Sequence, residues 1–212
     1  GLPVAAAAAA RGPVPWRRLV PLILPVSIVD FCYGWTLWVY LTWLPSFLAK
    51  SYHLPIKQFA WFSAGILFAG VIGDTVGGVV SDSILRRTGN ITIARRFNLI
   101  VGLLGSFVFL LPCLFVHDLM TVAVLLSLAF FFLELTNAVL CALPMDMAPR
   151  YAGIAGGIMN TGFGVAGVLS PAVFGLLLQL SGNWQVPFIT SVVLLFIGVL
   201  LALRIDPTRT LD

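Results

Sequence analysis

Apolar residues run almost without interruption over 19–48, 59–80, 97–116, 120–145, 152–180 and 186–204, and short polar connectors separate the runs. About 20 predominantly apolar residues are enough to cross the hydrocarbon of a bilayer. The pattern therefore predicts six transmembrane helices. The connectors are Lys50 to Lys57, Asp82 to Arg96, His117-Asp118, Asp146 to Arg150 and Ser181 to Gln185, and none has room for a soluble domain. The first run is about 30 residues, or roughly 45 Å at 1.5 Å per residue, so that helix must tilt or project beyond the hydrocarbon. The Ala-rich residues 1–15 have no amphipathic period and read as a flexible cytoplasmic linker. Residues 16–205 form the predicted membrane domain, and 206–212 a short cytoplasmic tail.

Composition narrows the function. Of 212 residues, 60% are hydrophobic and only 9% charged, whereas soluble domains have roughly a quarter of their residues charged. A water-soluble enzyme is excluded. The net charge of +4 does not indicate nucleic acid, because the basic residues sit between the spans. Taken on alternate sides, Arg11, Arg17, Arg18, Arg86, Arg87, Arg95, Arg96, Arg150, Arg204 and Arg209 fall on one side, and Lys50 and Lys57 on the other. This positive-inside asymmetry predicts that both termini and the 82–96 connector are cytoplasmic. The cysteines Cys32, Cys113 and Cys141 lie in apolar runs, their odd number excludes a full disulfide set, and they read as small buried hydrophobes. His53 and His117 lie in separate connectors, so no metal site or cofactor is expected.

The candidate chemistry lies inside the spans. On the first helix, Phe31, Trp35, Trp38 and Thr42 share one face and Tyr33, Thr36, Tyr40 and Trp43 the other. Either face could stack on a ligand, helix packing is the plainer reading, and Trp43, near the outer end, suits an interfacial belt. Asp30, Asp74 and Glu134 are carboxylates within spans, and each needs water, a partner or a proton there. Asp74, not far from Arg86 and Arg87, suits a structural salt bridge. Asp30 and Glu134 have no basic neighbour in sequence and suit a polar pocket or a proton carrier. Glu134, Asn137 and Cys141 share a helix face. On the fifth helix Gly153, Gly157, Asn160, Gly164, Gly167 and Pro171 form a small-residue face. Close helix packing explains its glycines, while Asn160 can hydrogen-bond a ligand. Pro144 and Pro171 predict bends. No Lys or Arg lies at the middle of a predicted span.

The connector Gly77-Gly-Val-Val-Ser-Asp-Ser-Ile-Leu-Arg-Arg resembles the signature loop of major facilitator superfamily transporters, with Gly78, Asp82, Arg86 and Arg87 in its glycine, acidic and paired basic positions. Ser83 and Leu85 depart from the strict pattern, as in the copy between helices eight and nine of that fold. Phe31-Cys-Tyr-Gly-Trp-Thr-Leu-Trp-Val-Tyr-Leu-Thr-Trp-Leu-Pro, Leu133-Glu-Leu-Thr, Ala142-Leu-Pro-Met-Asp-Met-Ala-Pro and Gly156-Gly-Ile-Met-Asn-Thr-Gly resemble the seventh, tenth and eleventh helices of the anion:cation symporter branch, with Cys141 standing where many members have Trp. The resemblance implies an all-α membrane protein: a six-helix bundle, the C-terminal half of a twelve-helix fold, within a longer chain whose first half carries the substrate-binding Arg and the principal proton-coupling acids. It further implies import of an organic anion, such as a sugar acid, tartrate or phthalate, with protons across a bacterial inner membrane. Trp35, Trp38, Asn137 and Asn160 would be the substrate-facing wall, Glu134 and Asp30 the protonatable or polar neighbours. Gly78, Asp82, Arg86 and Arg87 would form a cytoplasmic gate that one conformation makes and another breaks. The expected partners are that anion, protons, membrane lipid and the first six helices, with no nucleic acid. Two other readings are a membrane sensor on the same fold and an intramembrane aspartyl protease using Asp30 and Asp74; Val71, two before Gly73, breaks the Gly-x-Gly-Asp turn that such proteases share.

Overall fold

A computed structural model of the protein describes residues 13–211, so most of the predicted linker, with Arg11, and the last tail residue lie outside the described residues. The described chain is helical, without strands. The helices are α1 (Trp16–Ser51), α2 (Ile56–Thr88), α3 (Ile91–Leu110), α4 (Leu119–Leu135), α5 (Asn137–Met147), α6 (Ala152–Ser181) and α7 (Gln185–Ala202), with 3-10 turns at Leu111–Leu114 and Pro149–Tyr151. Six segments are long and apolar enough to cross a membrane, α4 and α5 together forming the fourth.

Local chemistry sets the boundaries. Gly89 (φ 63°) and Gly182 (φ 65°) end α2 and α6 in the left-handed conformation, which glycine adopts without a Cβ penalty. Asn90 caps α3 by accepting the Ile93 N–H at 3.1 Å. Asp118 caps α4 by accepting the Thr121 N–H at 2.9 Å and its hydroxyl at 2.7 Å. Satisfying these otherwise unpaired donors stabilises each helix start.

Two expectations are corrected here. The stretch 82–96 is not a loop: α2 runs to Thr88 and α3 begins at Ile91, leaving Gly89-Asn90 as the turn. Hydropathy fades where the helix leaves lipid, but Leu and Arg are good helix formers and carry α2 onward. The fourth span, expected as one helix, is divided at Thr136, where the Thr136 hydroxyl donates to the Leu133 carbonyl at 2.7 Å; Pro144 lies inside α5.

The bundle is held by close approach of α1 to α6 and of α2 to α4. Added Cβ atoms at Gly73 and Gly77 would overlap the Phe131 and Leu135 carbonyls of α4, and one at Gly162 would overlap the Ser27 carbonyl of α1. Gly153, Gly157 and Gly164, by contrast, have nothing within 4 Å of such a Cβ. The expected packing role for these three glycines is therefore not met within the six helices; α6 leaves that face open. Large apolar side chains such as Trp61 (73% exposed), Val168 (74%) and Leu180 (76%) face outward, as lipid or further protein requires.

Candidate functional site

The polar residues of the spans converge where α4 gives way to α5. Tyr33 of α1 donates its hydroxyl to both Glu134 oxygens at 3.2 Å. Glu134 sits near the end of α4 and is buried, as is Asp30, whose Oδ2 has no hydrogen-bond partner. Asn137, the first residue of α5, donates Nδ2 to Asp74 Oδ1 at 3.2 Å. Cys141, one turn further along α5, lies 3.9 Å from Asn137 Oδ1. Asp30 lies one turn before Tyr33 on α1. Four helices thus bring three carboxyl groups, a phenol, an amide and a thiol into one region. The break at Thr136 aims Asn137 and Cys141 toward α2.

This placement changes the reading of Asp74. Among the described residues no Lys or Arg pairs with it within 4 Å, so the expected salt bridge is replaced by the amide of Asn137. Cys141 is likewise exposed rather than buried. Asp74, Thr75, Gly78, Val79, Asp82, Ser83 and Arg86 of α2, with Asn137, Ala138 and Cys141 of α5, line a cleft of about 540 Å³. It joins Asn137 of the expected site to Gly78, Asp82 and Arg86 of the expected gate motif. Arg87 is exposed at the same helix end.

At the end of α2 the organising cation is Arg95 of α3, which the sequence assigned to a loop. It is only 8% exposed. Its Nε meets Asp146 Oδ2 at 2.8 Å, its Nη1 donates to the Ser81 hydroxyl at 2.8 Å, and the same nitrogen lies 3.8 Å from Asp82 Oδ1. Arg95 therefore ties α2, α3 and α5 together beside the expected gate residue Asp82. Two residues further into the membrane than Arg96, Asn98 donates to the Gly77 carbonyl at 2.9 Å and the Leu135 carbonyl at 3.2 Å. No spacing signal marked Arg95 or Asn98, since their partners lie on other helices.

The aromatic residues of α1 mainly pack. Trp35 is 6% exposed and donates Nε1 to Thr190 Oγ1 of α7 at 3.1 Å. It does not open to the cleft. Trp38 stays half-buried beside Phe163, with ring centroids 5.7 Å apart, and its buried Nε1 is unpartnered. Tyr40 stacks on Phe130 and donates to the Leu126 carbonyl at 3.2 Å. Trp43 is part of an outer aromatic cluster with Phe174 and Trp184 and donates to the Pro171 carbonyl at 3.2 Å, so it is packed rather than a belt residue. Asn160 is exposed on the open face of α6 and is not among the residues lining the cleft. Among the described residues no group of three or more His, Cys, Asp or Glu could hold a metal ion.

The Major Facilitator Superfamily profile matches residues 12–211. The chain belongs to this superfamily. It is 55% identical over 204 residues to a probable sulfoacetate transporter of Cupriavidus necator, covering 96% of this chain and 47% of that protein. It is 28% identical to a probable galactarate/D-glucarate transporter of Escherichia coli (81% of this chain, 39% of that protein). It is 30% identical to a chloroplastic sodium-dependent phosphate transport protein of Arabidopsis thaliana (89% of this chain, 37% of that protein). The chain spans about half the length, or less, of these relatives. The chain is an integral membrane protein with the architecture of a six-helix half of the superfamily fold. Asp30 and Asp74 are therefore not a protease dyad.

Proposed function

We propose that the chain is the C-terminal half of a secondary transporter that imports a small organic anion with protons by alternating access. The supporting observation is the cluster of Glu134, Asp30 and Asp74 around Tyr33 and Asn137. Ionisable groups inside a membrane are costly and by default mark an ion or proton pathway. Such groups suit a carrier that takes up and gives up protons. Relatives named for sulfoacetate and for galactarate and glucarate favour a small carboxylate or sulfonate substrate.

In this reading Asn137 and Trp38 contribute to the substrate wall, with Asn160 on the open face of α6 and Trp35 supporting α1 from behind. Glu134 and Asp30 carry the coupled proton. The anion's own cation comes from the six preceding helices, since Arg95 is already engaged by Asp146. Substrate then sits between two halves that rock against one another. In this reading the membrane is a bacterial inner membrane, and the positive-inside count supports a cytoplasmic side for both termini. There Asp82, Arg86 and Arg87, with the Arg95 network, close the cytoplasmic side in the outward-facing state.

The test is uptake of radiolabelled sulfoacetate and glucarate by the full-length protein in proteoliposomes, with and without an inward proton gradient. Gradient-dependent accumulation of either anion is expected. Binding without accumulation would overturn transport in favour of a sensor, and accumulation indifferent to the gradient would overturn proton coupling.

A further inference from the structure

Asp74 connects the buried acids to the cleft. Along α2, Asp74, Gly78, Asp82 and Arg86 recur every fourth residue and line one side of that cleft. From Asp74 to Arg86 is twelve residues, or about 18 Å of helix. The cleft thus leads from the carboxyl cluster to the end of α2 that carries the paired arginines. Glu134 and Asp30 are closed off, at 9% and 3% exposed, whereas Asp74 is half-buried. The Glu134 side chain lies against α2 one turn from Asp74: its Cγ would be 2.8 Å from a Cβ at Gly70. Asn137 holds Asp74 in place from α5, and the unpartnered Asp30 Oδ2 is an open acceptor on the far side of the cluster.

We propose that Asp74 is the proton-exchange group of this half, passing the proton of Glu134 to water in the cleft. The proposal rests on the proton-coupled reading above. In the transfer, the Glu134 carboxylic acid loses its proton and becomes the carboxylate while the Asp74 carboxylate becomes the acid. Asp74 then gives the proton to water, which leaves as hydronium on the Arg86 side. Tyr33 keeps its own proton and hydrogen-bonds the Glu134 carboxylate left behind. The titratable and polar groups around Asp74 are Asp82 and Arg86 of α2 and Asn137 and Cys141 of α5 along the cleft, and Glu134 of α4 with its partner Tyr33 of α1 one turn away. Arg95 of α3 is held by Asp146 and Asp82.

Two fluxes of the full-length protein in proteoliposomes separate this role from a structural one, with sulfoacetate as the probe. Net uptake driven by a proton gradient requires the proton to leave, whereas exchange of labelled for unlabelled sulfoacetate at equal concentration does not. For Asp74→Asn the ratio of exchange to net uptake rises roughly tenfold or more, and Asp74→Glu returns it to within about twofold of wild type. If the asparagine variant does not fold, Asp74→Ser, which leaves room for water, is judged by the same ratio. A ratio equal to wild type in a monodisperse carboxyl-free variant overturns the proposal, as does a raised ratio in Asp74→Glu. Failure of the broader reading is distinct, because there the wild-type protein itself shows no gradient-dependent uptake.

Discussion

Substituting Gly77 by Ala tests the packing that brings Asp74 to α5. A Cβ at Gly77 would lie 2.9 Å from both the Leu135 carbonyl carbon and its Cα, and carbon atoms in contact prefer about 3.5–4.0 Å. The obstacle is backbone, so no side-chain rotation relieves it, and α2 and α4 must separate by roughly 0.6–1 Å. Overpacking of this kind costs about 1–3 kcal/mol. The shift also strains the two bonds by which Asn98 bridges the Gly77 and Leu135 carbonyls, each worth about 0.6 kcal/mol in a membrane protein. The total is about 2–4 kcal/mol, which for a domain of this size lowers Tm by roughly 4–16 °C. Thermal unfolding of the detergent-solubilised full-length protein, followed by thiol-reactive dye or by loss of the monodisperse peak, measures it. Gly65→Ala on the same helix, with nothing within 4 Å, is the control and should shift Tm by no more than about 2 °C. A Gly77→Ala protein as stable as wild type, or a control equally destabilised, would refute the reasoning.

Arg95→Ala leaves Asp146 and Ser81 without their shared donor; we expect a loss of about 2–4 kcal/mol in the same unfolding assay, with Arg95→Lys only partly restoring it because one ammonium cannot span both partners. Tyr33→Phe removes the one donor seen on Glu134, and uptake in proteoliposomes should fall roughly tenfold with normal membrane insertion; unchanged uptake would remove Tyr33 from the site. Asn160→Ala should abolish uptake without affecting insertion, and wild-type kinetics would show that the open face of α6 does not meet substrate. The Asp118 carboxyl is held below its usual range by the Thr121 N–H and then the Thr121 hydroxyl. Its capping contribution is thus present above the ordinary carboxylate range and lost as pH falls through the lowered value, so hydrogen exchange at the first turn of α4 should accelerate only at strongly acid pH, and Asp118→Asn should flatten that dependence.

The six spans were legible because crossing lipid demands a long apolar run, and that demand is local in sequence. Helix continuation was not. Hydropathy senses lipid rather than hydrogen bonding, so the charged end of α2 read as loop although only Gly89-Asn90 turns. The stripe of Glu134, Asn137 and Cys141 was legible from spacing. Its partners Tyr33 and Asp74 lie 101 and 63 residues away, and no single-helix period reveals which faces will meet. The same limit misassigned three glycines of α6, whereas Gly167 of the same stripe does pack against Trp38 of α1. Period grouped Gly153, Gly157 and Gly164 together as a contact, yet Gly162, off that stripe, is where the Ser27 backbone presses. Arg95 read as a loop charge because its neighbours are polar, while its burial depends on Asp146, which arrives from α5.

The break at Thr136 leaves α5 as a rod of 11 residues, about 16 Å long, with Thr136 as the joint at one end. A swing of roughly 10° about that pivot would carry Met147 about 3 Å by simple lever geometry over that length. Its far end is moored: the Leu211 N–H donates to the Met147 carbonyl at 2.8 Å, and Arg96 grips the Ile205 carbonyl from α3 at 3.1 Å and 2.6 Å. Such a swing exceeds the reach of a hydrogen bond, so the lever moves only by casting off from the tail or by dragging it along. The chain beyond α7 thereby acts as a mooring line on the piece of helix that carries Asn137 and Cys141.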